Sequence, residues 1–267
     1  MKISTFNINS IRTRLPILKD FILKHSPDLL LCQEVKCEEK DFPFLELNYL
    51  QDLNYTFHYK LQKAYNGVLT LSKLKSELIH TSLPNFKDES ARYLEIKLLE
   101  NNIHIINVYI PNGNPIADSS KYQYKLAFLQ NLYNHLLTLS QQKINYIIAG
   151  DFNIIPTKND LYSEASFLND ALYQKEVKDL YFKMLNLPLV DSLNIFSNDK
   201  TYTWWDYRNN SLEKNQGVRI DHILTSPNLA NYLNSAEVIK EPRYQEKPSD
   251  HTPVIAMFNK ISLTNIQ

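Results

Sequence analysis

The chain has 267 residues, 43% of them hydrophobic, and its 29 lysines and arginines balance 29 aspartates and glutamates. This length and composition fit one α/β domain, and the zero net charge excludes a global basic field, so any nucleic-acid site has to be local. Two cysteines are too few for a disulfide framework, which predicts idle thiols in a cytoplasmic protein. No apolar run approaches about 18 residues, which predicts a soluble protein with no membrane segment.

The first half of the chain predicts short strands separated by a covering helix. A strand over residues 2–9 alternates its side chains, which predicts Asn7 and Asn9 on one face. A helix over 15–24 has Pro16 in its first turn, and the buried strand after it ends in Glu34. The strands predicted in this half cover residues 2–9, 28–34, 55–61, 68–72, 93–99 and 103–110, the last two joined by a hairpin turn at 101–102.

The second half continues the alternation of helices and strands. A helix over 121–139 precedes the apolar run that ends at Gly150 and Asp151. The apolar stripe predicted for that helix consists of Leu126, Leu129, Tyr133 and Leu136. A strand over 218–225 would place Arg219 and Asp221 on one face. The remaining segments are predicted as a long loop over 157–173, a helix over 175–185, and a last strand over 252–258 that follows Asp250 and His251.

Polar residues finish nearly every predicted strand, and three of the chain's four glycines lie at or beside these ends. The polar residues are Asn7, Asn9, Glu34, Tyr109, Asn112, Asp151, Asn153, Asp221, Asp250 and His251. Each of them alone is more often a solvated loop residue than a catalyst, but open α/β sheets bind ligands at strand ends. Carboxylates gathered at one sheet edge repel one another without a counter-ion, which predicts a hard cation such as Mg²⁺ with oxygen ligands.

Seven short motifs occur in an order that spans nearly the whole chain. They are Phe6-Asn7-Ile8-Asn9, Gln33-Glu34-Val35-Lys36, Tyr109-Ile110-Pro111-Asn112-Gly113, Gly150-Asp151-Phe152-Asn153, Tyr202-Thr203-Trp204-Trp205-Asp206-Tyr207-Arg208, Arg219-Ile220-Asp221-His222 and Ser249-Asp250-His251-Thr252-Pro253. With these motifs the chain resembles the exonuclease III branch of the endonuclease/exonuclease/phosphatase superfamily, which contains bacterial exodeoxyribonuclease III and apurinic/apyrimidinic (AP) endonucleases. The Trp-rich block, joined to residues 215–221, is the motif most specific to this branch. One departure is Ser10, where the family usually has glycine.

The resemblance implies a four-layer α/β sandwich of the DNase I-like kind, with two packed mixed β-sheets flanked by helices. Residues 1–260 would form a single catalytic domain and residues 261–267 a polar C-terminal tail. The implied function is that of a DNA-repair nuclease with Mg²⁺, for which Mn²⁺ substitutes. Such an enzyme is a 3′-5′ exonuclease on double-stranded DNA, an endonuclease 5′ to abasic sites and a cleaner of 3′ ends. A monomer is expected.

The resemblance also implies a role for each polar strand end. Asp151 would orient and deprotonate the attacking water, and Asp221 would fix His251 against the scissile phosphate. Whether Asp151 or His251 is the base stays open at this point. The implied catalytic residues are Tyr109, Asp151, Asn153, Asp221 and His251. The implied metal ligands are Asn7, Glu34, Asp151, Asn153, Asp250 and His251. The implied substrate-binding residues are Asn9, Asn112, Trp204 and Arg219.

Alternatives remain for the tryptophans and for the function. Trp204 would line the pocket for an abasic sugar according to the resemblance, whereas the default for aromatic residues, including Trp205, is packing in the core. A superfamily phosphatase that acts on a small phosphoester would share Glu34, Asp151 and His251 but would replace the Trp-rich block. A relative that only binds nucleic acid would have lost metal ligands, and every such position is filled here.

Overall fold

A computed structural model describes residues 1–196 and 200–261 of the chain. The strands are β1 (Lys2–Asn7), β2 (Leu29–Gln33), β3 (Thr56–Lys60), β4 (Val68–Ser72), β5 (Ser76–His80), β6 (Tyr93–Leu98), β7 (Ile103–Tyr109), β8 (Tyr146–Asp151), β9 (Val190–Asp191), β10 (Asp221–Thr225), β11 (Leu233–Val238) and β12 (Val254–Phe258). The α-helices are α1 (Ile11–His25), α2 (Phe44–Leu47), α3 (Tyr49–Asp52), α4 (Ser119–Gln141), α5 (Lys175–Leu185), α6 (Ser192–Phe196) and α7 (Pro227–Ala230). Apart from Ile261, the predicted tail lies outside the described residues.

The strands form two six-stranded sheets of similar design. The first sheet has the order β11-β12-β1-β2-β4-β3 and the second the order β5-β6-β7-β8-β10-β9. Each sheet has one parallel pair at its centre, β1 with β2 and β7 with β8, while the other neighbours are antiparallel. Both sheets are therefore mixed.

Three apolar clusters hold the sheets and helices in four layers. Ile3 and Leu31 of the first sheet and Ile105 and Ile147 of the second belong to the cluster between the two sheets. A second cluster joins α1 to the outer face of the first sheet, and a third joins α4 and α5 to the outer face of the second. Since successive side chains of a strand point to opposite faces, each central strand supplies two of these clusters. The predicted four-layer α/β sandwich is confirmed.

Several predicted elements have the observed bounds, and the strands that were missed lie at sheet edges. β4, α5 and the hairpin of β6 and β7 agree with the prediction to within one residue. The prediction omitted β5, β9 and β11, each of which forms an edge of its sheet. An edge strand buries less apolar surface, so its sequence alternates weakly.

Two predicted placements along the strands are wrong. β1 ends at Asn7, so Asn9 lies beyond the strand, in a turn with a φ of 46°, and the shared strand face does not exist. β10 begins at Asp221, so Arg219 precedes it. Val218 instead forms isolated bridges with Leu161 and Trp204, outside the named strands.

The cysteines and the helix lengths can be compared with the predictions from composition. Cys32 and Cys37 are both buried and unpaired, as expected for idle thiols. Within the described ranges, no helix has the length and apolar character needed to cross a membrane.

Candidate active site

Strand direction brings the predicted site residues to one edge of the sandwich. Asn7 ends β1, and Glu34 follows the parallel strand β2. Asp151 ends β8 and pairs in register with Asp221, the first residue of the antiparallel strand β10. His251 likewise precedes β12, which runs antiparallel to β1. The carboxyl ends of the parallel strands and the amino ends of their antiparallel neighbours therefore meet, although the residues are far apart in sequence.

The backbone at this edge is tightly constrained. A β-carbon at Gly150 would lie 1.9 Å from the carbonyl oxygen of Val108 on the neighbouring strand, so no side chain fits there. Glu34 and Asn153 have φ values of 52° and 49°, a region that non-glycine residues occupy at a cost of about 1–3 kcal/mol. Ser10, at the position where the resembled family has glycine, has a φ of 86°, while its N–H donates to the carbonyl oxygen of Glu34. These three left-handed residues lie in the loops that present the polar side chains.

One buried amide links two carboxylates at the centre of the site. Asn7 Nδ2 lies 2.8 Å from Glu34 Oε1 and 2.9 Å from Asp151 Oδ2. The other oxygen of Glu34 lies 2.5 Å from the ammonium of Lys36. Burial, together with Asp221 and Glu34, raises the pKa of Asp151 to about 7 despite the nearby His251. The acids are thus crowded, which is the condition that a cation relieves.

His251 lies between two carboxylates. Its Nδ1 is 2.9 Å from Asp221 Oδ2, and its Nε2 is 3.7 Å from Asp151 Oδ2. Burial lowers the pKa of His251, but Asp221 and Asp151 outweigh burial and raise it to about 10. The second oxygen of Asp221 is buried and has no hydrogen-bond partner among the described residues. The arrangement fixes the ring so that Nε2 faces the site.

The donor set fits a divalent cation that prefers oxygen ligands. Ligand atoms of Glu34, Asp151 and His251 all lie within 4.8 Å of one another. The Asn7 side chain adjoins both carboxylates through Nδ2, while its Oδ1 accepts a hydrogen bond from the N–H of Asn9. Carboxylate oxygens and water are the ligands that Mg²⁺ prefers.

Two asparagines from neighbouring loops extend the site beside Asp151. Asn153 donates from its N–H to Asp151 Oδ1 at 2.9 Å and from its side chain to the carbonyl oxygen of Ile110 at 2.9 Å. Asn112 Nδ2 donates to Asn153 Oδ1 at 3.1 Å. Asn153 therefore connects the loop that follows β8 with the loop that follows β7.

Tyr109 lies at the end of β7 among charged groups. Burial and the carboxylates of Glu34 and Asp151 raise the pKa of Tyr109 well above its ordinary value. The guanidinium of Arg92 lies 4.6 Å from the centre of its ring and also donates to its carbonyl oxygen. The phenol is therefore a neutral hydrogen-bond donor near the two acids.

The Trp-rich block supplies one half-buried and one buried ring. Trp204 Nε1 donates to Asp250 Oδ2 at 2.9 Å, and Asn9 Nδ2 donates to Asp250 Oδ1 at 2.8 Å. Burial raises the pKa of Asp250, but His251 and these hydrogen bonds outweigh burial and lower it. Trp205 is only 1% exposed. Trp204 therefore lies beside Asp250 and His251, and Trp205 is buried in the protein interior.

Arg219 is the predicted site residue that the structure does not bring to the site. It is 3% exposed, and its Nε and Nη1 lie 2.6 Å from Asp160 and 2.7 Å from Asp191. These ion pairs hold two of the three guanidinium nitrogens inside the protein and tie the loop over 157–173 to β9, while Nη2 is buried with no hydrogen-bond partner among the described residues. A contact between Arg219 and substrate is therefore not supported.

Lys125 and Arg92 are neighbours of the site that the sequence prediction missed. Lys125 is fully buried in α4, and its Nζ donates to the carbonyl oxygens of Asn112 and Asn153. A lysine on the buried stripe of a helix is a signal that could have found it. The predicted stripe passed through Leu126 instead, one position away. No comparable signal marks Arg92.

Comparison with known proteins identifies the family of this chain. The model of the endonuclease/exonuclease/phosphatase family matches residues 4–251. Exodeoxyribonuclease III of Haemophilus influenzae is 31% identical, with 97% of this chain and all of the relative aligned. An AP endonuclease from Archaeoglobus fulgidus has a TM-score of 0.89 at 34% identity, covering 97% of this chain and 99% of that one.

A Neisseria enzyme is similar at the same level. The 3′-5′ exonuclease NExo from Neisseria meningitidis has a TM-score of 0.90 at 33% identity, covering 97% of this chain and 100% of that one. A variant of NExo, described as a 3′ phosphatase, has been solved bound to a product DNA hairpin. The chain therefore belongs to the endonuclease/exonuclease/phosphatase family and, within it, to the branch of DNA-repair nucleases that contains exodeoxyribonuclease III.

Proposed function

We propose that the chain hydrolyses phosphodiester bonds of double-stranded DNA as a 3′-5′ exonuclease, cuts 5′ to abasic sites and cleans 3′ ends. The observation that carries this proposal is the meeting of Glu34, Asp151 and the His251–Asp221 pair at one edge of the sandwich, where both sheets contribute. The relatives named exodeoxyribonuclease III and AP endonuclease and the DNA-bound NExo support the substrate class. We further propose that the enzyme acts as a cytoplasmic monomer.

Glu34 is the principal ligand of Mg²⁺ in this proposal, and Mn²⁺ takes the same place. Asp151 and His251 offer ligand atoms within 4.8 Å of those of Glu34, and Asn7 and Asn153 are hydrogen-bonded to Asp151. Asp250 accepts hydrogen bonds from Asn9 and Trp204. When bound, the cation neutralises the scissile phosphate and stabilises the departing 3′ oxygen.

The chain's own residues position the water and the phosphate. Asp151, held by Asn7 and by the N–H of Asn153, orients the attacking water and accepts its proton. Since His251 Nδ1 is taken up by Asp221, Nε2 is the atom that contacts the phosphate. Tyr109 and Asn112 donate hydrogen bonds to the phosphate oxygens as charge develops on them.

Cleavage of matched duplexes tests the proposed function. The substrates are an intact duplex with recessed 3′ ends, the same duplex with one abasic site and one with a 3′ phosphate, each with Mg²⁺ and with a chelator. We expect cleavage of all three with Mg²⁺ and none in chelator. Full activity in chelator, or release of phosphate from inositol phosphates with no DNA cleavage, would contradict the proposal.

Trp204 is proposed to form a wall of the pocket that admits a bare deoxyribose. A nucleotide without its base leaves the stack at the lowest cost, and a flat aromatic ring excludes a normal base by size. Trp204 is partly exposed beside His251, with which its backbone forms an isolated bridge.

The two tryptophans provide a matched pair for testing this wall. Trp204→Ala is expected to weaken abasic cleavage and reduce the preference for abasic over intact duplex. Trp205→Ala is expected to cost about 3–5 kcal/mol of stability, because the ring is buried. Thermal melting together with both cleavage assays distinguishes them. A large fall in melting temperature with unchanged selectivity in Trp204→Ala would assign Trp204 to the core.

A further inference from the structure

Lys125 is a fully buried lysine behind the active site. It lies in α4, where its neighbours on the buried stripe include Tyr122, Phe128 and Leu129. Burial of an ammonium is costly unless hydrogen bonds compensate it. The hydrogen-bond partners of Lys125 therefore indicate what the lysine does at this position.

The ammonium of Lys125 joins the two loops that carry the site asparagines. Its Nζ lies 2.9 Å from the carbonyl oxygen of Asn112 and 2.5 Å from the carbonyl oxygen of Asn153. The side chains of these asparagines are themselves hydrogen-bonded to each other. The two loops are thus connected twice, once by the hydrogen bond between the asparagine side chains and once by the hydrogen bonds from Lys125 to their backbone carbonyl oxygens.

The stem of Lys125 also shapes the loop that follows β7. A β-carbon at Gly113 would lie 2.8 Å from Lys125 Cδ, and Gly113 has a φ of 86°. Glycine is required there for two reasons, the left-handed backbone and the close approach of the lysine stem. The loop is therefore packed onto the lysine, and Asn112 directly precedes the point of contact.

Lys125 has no route to the substrate, because none of its surface is exposed. We propose that Lys125 is a positioning residue that holds the Asn112 and Asn153 loops in register, so that Asn112 meets the phosphate and Asn153 holds Asp151. This inference rests on the proposed roles of Asn112 and Asn153. A misplacement of about 1 Å in such groups costs about 10²-fold in rate.

The test replaces Lys125 with methionine, which fills a similar volume and donates no hydrogen bond. Each variant is assayed at a temperature at which circular dichroism shows it to be folded. For Lys125→Met we expect kcat on the recessed duplex to fall at least about tenfold, with KM within about threefold of the wild-type value. Lys125→Gln, which keeps one donor, is expected to have an intermediate kcat. Lys121→Met, an exposed position one turn earlier in α4, is the control and should keep the wild-type kcat.

A double-mutant cycle separates positioning from a general structural effect. In an Asn112→Ala background, Lys125→Met should reduce kcat by a smaller factor than in the wild type, because its effect passes partly through Asn112. An unchanged kcat in folded Lys125→Met, or the same factor in both backgrounds, would overturn the inference. Wild-type protein that fails to cleave DNA would instead refute the proposed function, so the two failures are distinguishable.

Discussion

Two buried carboxylates of the second sheet, Glu95 and Asp151, are each close to histidine but have opposite electrostatic character. Glu95 accepts hydrogen bonds from the Tyr93 hydroxyl at 2.6 Å, His104 Nδ1 at 2.5 Å and His135 Nε2 at 3.0 Å. Burial raises the pKa of Glu95, but these donors outweigh burial and hold it well below its ordinary value.

Asp151 has other acids as neighbours. Burial raises its pKa to about 7, and although His251 opposes this shift, Asp221 and Glu34 add to it. An acid whose neighbours are mainly donors is a structural anchor, whereas an acid that shares one histidine with other acids keeps a raised pKa and is suited to chemistry with a cation. The number and sign of the neighbours, and not burial alone, distinguish the two.

The largest effect is expected from the acids of the crowded cluster. Asp151→Asn should lower kcat at least about 10³-fold with no recovery at high Mg²⁺, because the group that accepts the proton is lost. Glu34→Ala should lose activity that high Mg²⁺ partly restores, because its defect is in ion affinity. Titration of Mg²⁺ in the cleavage assay measures both. Equal rescue of the two variants would show that the assigned roles are wrong.

The His251–Asp221 pair is expected to behave as one unit. His251→Asn and Asp221→Ala should each lower kcat by about 10²-fold or more. The kcat of the double variant should lie within about fivefold of the kcat of the less active single variant. The reason is that Asp221 acts by orienting His251, so its removal matters little once the imidazole is gone. The measurement is kcat for the wild type, the two single variants and the double variant. If the factors by which the single variants lower kcat multiply in the double variant, the two residues act independently.

Glu95 tests the other side of the comparison. Glu95→Gln should lower the free energy of unfolding by about 1–3 kcal/mol, because a buried donor loses its acceptor, and should leave kcat unchanged. Chemical denaturation measures the loss. Glu77→Gln is the matched control, since Glu77 pairs with Lys97 at the surface of the same sheet and should cost less than about 1 kcal/mol. A fall in kcat of folded Glu95→Gln would contradict the division between anchor and catalyst.

The smallest effect concerns the pH dependence of stability. The pKa of Glu95 in the folded chain lies below its ordinary value of 4.5, so the unfolded chain binds a proton first as the pH falls. Its contribution to stability is therefore complete above pH 4.5 and decreases as the pH drops below that value. Denaturation at a series of acidic pH values should show a steeper loss for the wild type than for Glu95→Gln. Parallel curves would mean that Glu95 is not the titrating anchor.

The sequence by itself determined the regular elements and the chemistry at their ends. Periodicity of apolar residues is a local property, so it located Val68–Ser72 and Lys175–Leu185 at their observed bounds. Asp151 and Glu34 were likewise recognisable as acids that directly follow buried strands. The resemblance carried by the motifs added the architecture, since it implied two packed mixed sheets flanked by helices, whereas the order of the strands came only from the structure.

Only the tertiary structure decided which charged side chains reach the site. Arg219 finds its partners Asp160 and Asp191 at sequence separations of 59 and 28 residues, and no local pattern specifies such contacts. Lys125 is the opposite case, because the sequence prediction did not place it near the site. A charged residue in a helix is usually solvated, yet Lys125 is hydrogen-bonded to two loops that follow other strands. Long-range packing sets the burial and the hydrogen-bond partners of these side chains, and burial and partners decide whether a charge is structural or functional.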